Sequence, residues 1–170
     1  MGVSRCAADW CPGYDYAGAP WTPASSRYEP RTGRVQLLLK RLYYRATNRF
    51  SNKLLLYRVG NGGLSLRRVA LFLAICQDNR PGIDAYLASG GTEFNKDVFF
   101  SYEMNRGRRR VRVPGYREAL GFAFETNPAL ALAHNGNALP YGCHARNKEP
   151  FAQFWRGHIR FQGKPGTMPT

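Results

Sequence analysis

Between Glu29 and Asp78 the chain carries no acidic residue. From residue 34 to residue 76, Arg34, Lys40, Arg41, Arg45, Arg49, Lys53, Arg58, Arg67 and Arg68 are threaded through leucines. A solvated helix normally mixes both signs, because opposite charges four residues apart support it. A face of one sign repels itself unless an outside anion neutralises it. The segment therefore predicts helices that lie against a polyanion, with folded RNA the first expectation.

The rest of the composition agrees. The formal charge is +14 over 170 residues, and the sequence pI is about 10.2. That balance asks for an anionic partner, nucleic acid before an anionic membrane. Apolar residues make up 44% of the chain, enough for a core. The length suits one domain with extensions. No apolar run approaches the roughly 18 residues of a membrane span, so none is expected. The N-terminus lacks the basic-then-apolar pattern of a secretory signal.

Residues 1–31 read as an extended aromatic arm. Pro12, Pro20, Pro23 and Pro30 interrupt any helix, while Trp10, Tyr14, Tyr16, Trp21 and Tyr28 supply rings. Such an arm either orders on a partner or covers the core of its own domain. Residues 32–157 form the expected folded domain, in two parts: a basic helical part (32–76) and a mixed strand and helix part (77–157). Residues 158–170 read as an irregular basic tail. Helices before short mixed elements predict an α+β, or irregular α/β, class.

Within the helical part, Thr32 is a candidate N-cap. Val35, Leu38, Leu39, Leu42 and Ala46 follow at helical spacing as the expected buried face. A second helix is expected over 51–58, with Leu54, Leu55 and Leu56 inside and Gly60 as its stop. Asn61, Gly62 and Gly63 read as a tight turn. Ser65 then caps a third helix over 66–76, which sets Arg67 and Arg68 in its first turn. That is the wrong end for cations on dipole grounds, so phosphate contact is the expected reason. Further on, 83–88 and 97–104 read as strands. The basic run Arg106, Arg108, Arg109, Arg110 and Arg112 leads from a loop into a strand with one charged face. A helix is expected over 116–124, a second short apolar element over 129–133 after an Asn127-Pro128 turn, and a final helical turn over 151–155, with loop from 140 to 150.

Catalytic signals are weak. His134, His144 and His158 show no metal-ligand spacing. Cys143 and His144 are adjacent, which usually points their side chains apart. Cys6, Cys11, Cys143 and His144 do not have the spacing of a standard zinc finger. The glycine-containing loops lack the Lys-Ser/Thr of a phosphate-binding loop. The expectation is a non-enzyme without a cofactor.

Several stretches resemble a known family. These are LLLKRLYYRATNRF over 37–50, KLLLYR over 53–58 and LSLRR over 64–68. The start Met1-Gly2-Val3, ALALA over 129–133, Phe154-Trp155-Arg156-Gly157 and GKPGT over 163–167 add to them. Together they look like the eukaryotic large-subunit ribosomal protein family L-eighteen-e. The resemblance is best over 37–69. It implies the fold shared with ribosomal protein L-fifteen, a structural role without catalysis, and ribosomal RNA and neighbouring ribosomal proteins as partners. It also implies a cytoplasmic ribosomal location and no small-molecule substrate. Arg45, Arg49, Lys53, Arg67, Arg68 and Lys164 would be the matching basic positions nearest that RNA. The rival expectation is an accessory subunit of a large mitochondrial membrane complex.

Overall fold

The computed structural model describes residues 13–25, 31–47, 49–90 and 94–159. The expected α+β class holds: seven α-helices and four short strands stand among the described residues.

The core is built around β1 (Tyr16–Pro20), whose five residues are all buried. Its alternation sends Ala17 and Ala19 against Phe122 and Ala123. Tyr16 packs instead with Phe72, Ile75, Phe99 and Val111. This stretch lies inside the expected arm. For residues 16–20, therefore, the arm reading is replaced by a strand that forms the domain's own centre. Small residues alternating with a ring let other elements approach both faces closely. The arm's residues 1–12 and 26–30 lie outside the described residues.

β1 pairs antiparallel with β2 (Val59–Arg67). Tyr16 faces Arg67, Ala17 faces Leu66 and Gly18 faces Ser65; the register then jumps, so that Ala19 faces Asn61. Gly62, Gly63 and Leu64 bulge out of the ladder between those pairs. Expected as a free turn, the glycines are instead a seated bulge. A Cβ on Gly62 would overlap the Asp97 carboxylate, and one on Gly63 the His144 ring. Ser65 is a strand residue rather than a helix cap. The strand partner is β1, far back in the chain, and its ladder overrides the local helix signal.

The helix α1 (Arg31–Ala46) forms as expected, but with a different face inward. Gly33 and Leu37 are buried, whereas Val35, Leu38, Leu39, Leu42 and Tyr43 are each more than half exposed. The reason is polar. Arg41 donates through Nε to the Lys53 carbonyl (3.4 Å) and through its terminal nitrogen to the Leu56 carbonyl. Those acceptors turn the Gly33, Leu37 and Arg41 side of the helix toward the domain.

The expected second helix is a single 3-10 turn, Asn52–Leu54, capped by the Ser51 side chain. Leu54 and Leu55 are buried with Val98 and Tyr102, as anticipated for the leucines. Tyr57, at φ +57, ends the turn. Gly60 is a residue of β2 and not a helix stop.

The third helix starts later than expected, as α2 (Val69–Asp78). Arg67 is therefore in a strand and Arg68 precedes the helix. Two expected strands are helices. α3 (Arg80–Ala88) opens with Pro81 in its first turn, where a missing N–H costs nothing. Ile83 and Tyr86, three apart, pack toward the core. α4 (Lys96–Ser101) is nucleated by Asn95, whose Oδ1 accepts from the N–H groups of Asp97 (3.0 Å) and Val98 (3.1 Å). A 3-10 turn, Glu103–Asn105, follows. Residues 110–113 form no strand; Val111 is buried, and the Arg112 carbonyl accepts from the N–H groups of Asp15 (2.8 Å) and Tyr16 (3.2 Å) without extending into a ladder.

The remaining elements lie close to expectation. α5 (Tyr116–Phe122) runs into β3 (Ala123–Phe124). α6 (Pro128–His134) is capped by Asn127, and α7 (Phe151–Arg156) closes the described chain. β3 pairs in parallel with β4 (Gly142–Cys143), inside a stretch expected to be loop. Leu120, Phe124, Ala131 and Trp155 form the core at this end.

Candidate nucleic-acid interface

The structure sorts the sequence-predicted cations into groups with different chemistry. The first group is neutralised from within. Asp15, which precedes β1, has a side chain only 6% exposed and holds two arginines. Arg68 Nε lies 3.0 Å from its Oδ1 and Arg112 Nε 3.1 Å from its Oδ2. The Arg112 backbone N–H also donates to it (2.9 Å). Burial works to raise the Asp15 pKa. The hydrogen bonds and charges of Arg112, with the charge of Arg68, outweigh burial and hold it below its ordinary value. Asp15 in return raises the Arg112 pKa.

Arg67 is likewise engaged. It lies 3.1 Å from Asp97 Oδ1 and sits over the Tyr16 ring, 5.2 Å from its centroid. The second oxygen of Asp97 accepts the Gly62 N–H (3.0 Å), tying the bulge of β2 to α4. So Arg67, Arg68 and Arg112 hold β1, β2 and the 110–113 segment together. Their structural role is internal, while Arg68 and Arg112 keep close to half of their side chains exposed. Their counter-charges lie 30 or more residues away, where charge counting within a window does not reach.

A second group has no such counter-charge among the described residues. Arg41 and Arg58 both have lowered pKa values. For Arg41 the causes are burial first, then the charge of Arg58. For Arg58 burial again leads; Tyr102 opposes it and the charge of Arg45 adds to it. The Arg58 guanidinium lies 5.3 Å from the centre of the Tyr102 ring. Arg58 thus bears on Arg41, and Arg45 on Arg58, across α1 and the end of the 52–58 turn. Lys40, Arg45, Arg49 and Lys53 continue this surface, and none of them forms an ion pair among the described residues. Thr47 stands between them, its hydroxyl returned to the Tyr43 carbonyl.

The third group is the loop 106–110, every residue of which is exposed. Arg106 pairs with Glu103 at 3.3 Å. Arg108, Arg109 and Arg110 extend the loop without an ion pair among the described residues. Asn105 clamps it. Its Oδ1 accepts from the N–H groups of Arg110 (2.9 Å) and Val111 (3.0 Å), and its Nδ2 donates to the Val111 carbonyl (2.9 Å). Nothing in the charge pattern singled Asn105 out; a lone Asn ahead of a basic run was the only signal available. Lys164 lies outside the described residues.

The residues weighed for catalysis are also placed. Burial raises the Cys143 pKa more than Arg146 lowers it, which disfavours the nucleophilic thiolate. His144 Nδ1 lies 3.3 Å from Glu125 Oε1 beside the β2 bulge. Among the described residues no cluster of three or more His, Cys, Asp or Glu could hold a metal. No helix among them is long and apolar enough to cross a membrane.

Residues 3–144 match a family model described as "Protein of unknown function (DUF5672)". The chain belongs to that family. The matched span runs from before β1 through β4, so the DUF5672 region takes in both small sheets, the cations of α1 and the 52–58 turn, and loop 106–110. No curated protein and no solved structure matches the chain.

Proposed function

We propose that this DUF5672 protein binds folded RNA through the cations of α1 and the 52–58 turn, with loop 106–110 as a second contact. One observation carries the reading: Arg41, Arg45 and Arg58 are gathered without an ion pair to a carboxylate among the described residues, and two of them are partly desolvated. Gathered cations of that kind are stabilised by an anion, and a polyanion satisfies several at once. Phosphate neutralisation would supply affinity, while the spacing fixed by α1 would favour a particular RNA shape. The likeness to L-eighteen-e proteins makes large-subunit ribosomal RNA the first candidate, with a structural role in the cytoplasmic ribosome and ribosomal proteins as neighbours. Sedimentation of cell extract tests this. The protein should travel with the large subunit and leave it after ribonuclease and high salt; sedimentation away from ribosomal particles refutes the ribosomal role.

A second reading has its own support. The exposed Val35, Leu38, Leu39 and Leu42 form an apolar stripe that phosphates do not need. That stripe suits a protein neighbour, as in an accessory subunit of a large mitochondrial membrane complex. Such a subunit would co-purify with a detergent-solubilised complex and ignore ribonuclease.

A further inference from the structure

β3 and β4 run in parallel, and each is followed at once by an ionisable residue: Glu125 after Phe124, His144 after Cys143. The carboxyl ends of parallel strands are where ligands commonly meet side chains. The Phe124 carbonyl accepts the His144 N–H (3.0 Å), which holds the two strand ends level. His144 Nδ1 then lies 3.3 Å from Glu125 Oε1. Both Nδ1 and Glu125 Oε2 are buried and make no hydrogen bond. Buried polar atoms without a partner are uncommon, and each calls for a reason. The other edge of the ring is open. The His144 side chain is 40% exposed although its Nδ1 is buried, so the exposed part lies toward Cδ2 and Nε2. The bulge of β2 covers the inner edge. A Cβ on Gly63 would stand 2.2 Å from Nδ1, 2.3 Å from Cγ and 2.4 Å from Cε1, so only glycine lets the strand lie there.

We propose that His144 is a general base for a ribose 2′-hydroxyl of bound RNA, with Glu125 as its positioning residue. The Glu125 carboxylate accepts the Nδ1 proton, and that fixes the neutral tautomer whose Nε2 keeps its lone pair on the open edge. A small rotation of the ring closes the 3.3 Å separation; bonds of this kind are often long without substrate and tighten when it binds. Nε2 takes the 2′-hydroxyl proton, and the 2′ oxygen forms a bond to the adjacent phosphorus. The bond from phosphorus to the 5′ oxygen breaks, and that oxygen leaves with the electron pair and takes a proton from water. His144 returns its own proton to solvent. The products are a 2′,3′-cyclic phosphate end and a 5′-hydroxyl end. The net charge of +14 draws a phosphodiester to the chain, and the charge of Arg146, two residues beyond His144, reaches Cys143 beside the pair. The proposal rests on the RNA-binding reading, though not on its ribosomal part.

Binding and cleavage of a labelled oligoribonucleotide, measured side by side on the full chain, test it. Wild type should cut the strand and leave 2′,3′-cyclic phosphate ends. It should bind the same sequence carrying 2′-O-methyl groups and leave it whole. His144→Gln should lower the rate at saturating RNA by about a hundredfold or more, the usual share of a general base. Glu125→Ala should lower it by about tenfold or more, and Glu125→Gln, which keeps an acceptor for the Nδ1 proton, should restore part of the loss. Nitrogen NMR reads the positioning directly: the proton of neutral His144 should sit on Nδ1 in wild type and Glu125→Gln, and move to Nε2 in Glu125→Ala. A role confined to packing would change stability without moving that proton. Binding without cleavage, cleavage that survives His144→Gln, or a wild-type ring protonated on Nε2 overturns the proposal and leaves the RNA reading standing. Absence of both binding and cleavage overturns the two together.

Discussion

Replacing Asp15 with Asn tests the internal tie that holds Arg68 and Arg112. The Asp15 carboxylate is nearly buried and meets the Arg68 and Arg112 guanidinium groups and the Arg112 N–H at 2.9–3.2 Å. Removing one member of a fully buried ion pair costs about 3–5 kcal/mol. Both arginine side chains are close to half exposed, so solvent screens them and the lower end is too high. The Asn Oδ1 can still accept the Arg112 N–H. The expected loss is about 2 kcal/mol near neutral pH, or a fall in Tm of about 4–8 °C for a chain of this size. The pH dependence has a definite sign. The Asp15 pKa is depressed on folding from an ordinary value of 3.8. Its contribution is therefore complete above that value and disappears as pH falls through the lower folded value. Thermal melts of wild type and Asp15→Asn should be well separated at neutral pH and converge in strong acid. Equal melting temperatures at neutral pH, or a gap that persists at about pH 2, would refute this account of how β1, α2 and the 110–113 segment are joined.

Three further outcomes follow from the packing. Leu37→Ala should cost about 2–3 kcal/mol in chemical denaturation, whereas Leu39→Asp should change stability by less than about 0.5 kcal/mol; the reverse order would restore the expected inward face of α1. Gly18→Ala drives a methyl group into the Asn61 carbonyl across the β1–β2 ladder and should cost about 1–3 kcal/mol. Gly107→Ala meets nothing within 4 Å and serves as its control in the same denaturation series. Asn105→Ala removes the clamp on loop 106–110, so limited trypsin digestion should cut there faster than in wild type, and unchanged cutting would contradict the clamp.

The sequence carried some of this and hid the rest for identifiable reasons. The helices over 31–46, 116–122 and 151–156 were legible because their signals are local, although the apolar spacing of α1 pointed to the wrong face and its expected cap, Thr32, lies inside the helix. The Leu54 and Leu55 burial was legible for the same reason. β2 was not, since Asn61-Gly62-Gly63 and Ser65 give the same local signals as a turn and a cap. Only pairing with β1, more than 40 residues back, makes them a bulged strand. α4 was read as a strand because DVFFSYEM is aromatic; the Asn95 cap two residues earlier decided otherwise. The acid-free stretch was correctly seen as a local fact. It did not reveal that Asp15 and Asp97 fold back onto Arg68 and Arg67, nor that Arg41, Arg45 and Arg58 remain together without them.

The most direct measurement is the salt dependence of RNA affinity for wild type and for Arg45→Gln/Arg49→Gln/Lys53→Gln. Each cation that neutralises a phosphate contributes about 0.7–0.9 to the slope of log affinity against log salt. The triple substitution should lower the magnitude of that slope by about 2 while leaving the melting temperature near wild type. Arg68→Gln should do the opposite, reducing stability with little effect on the slope. An unchanged slope in the triple variant, or a wild type whose affinity for RNA does not depend on salt, would contradict the central claim.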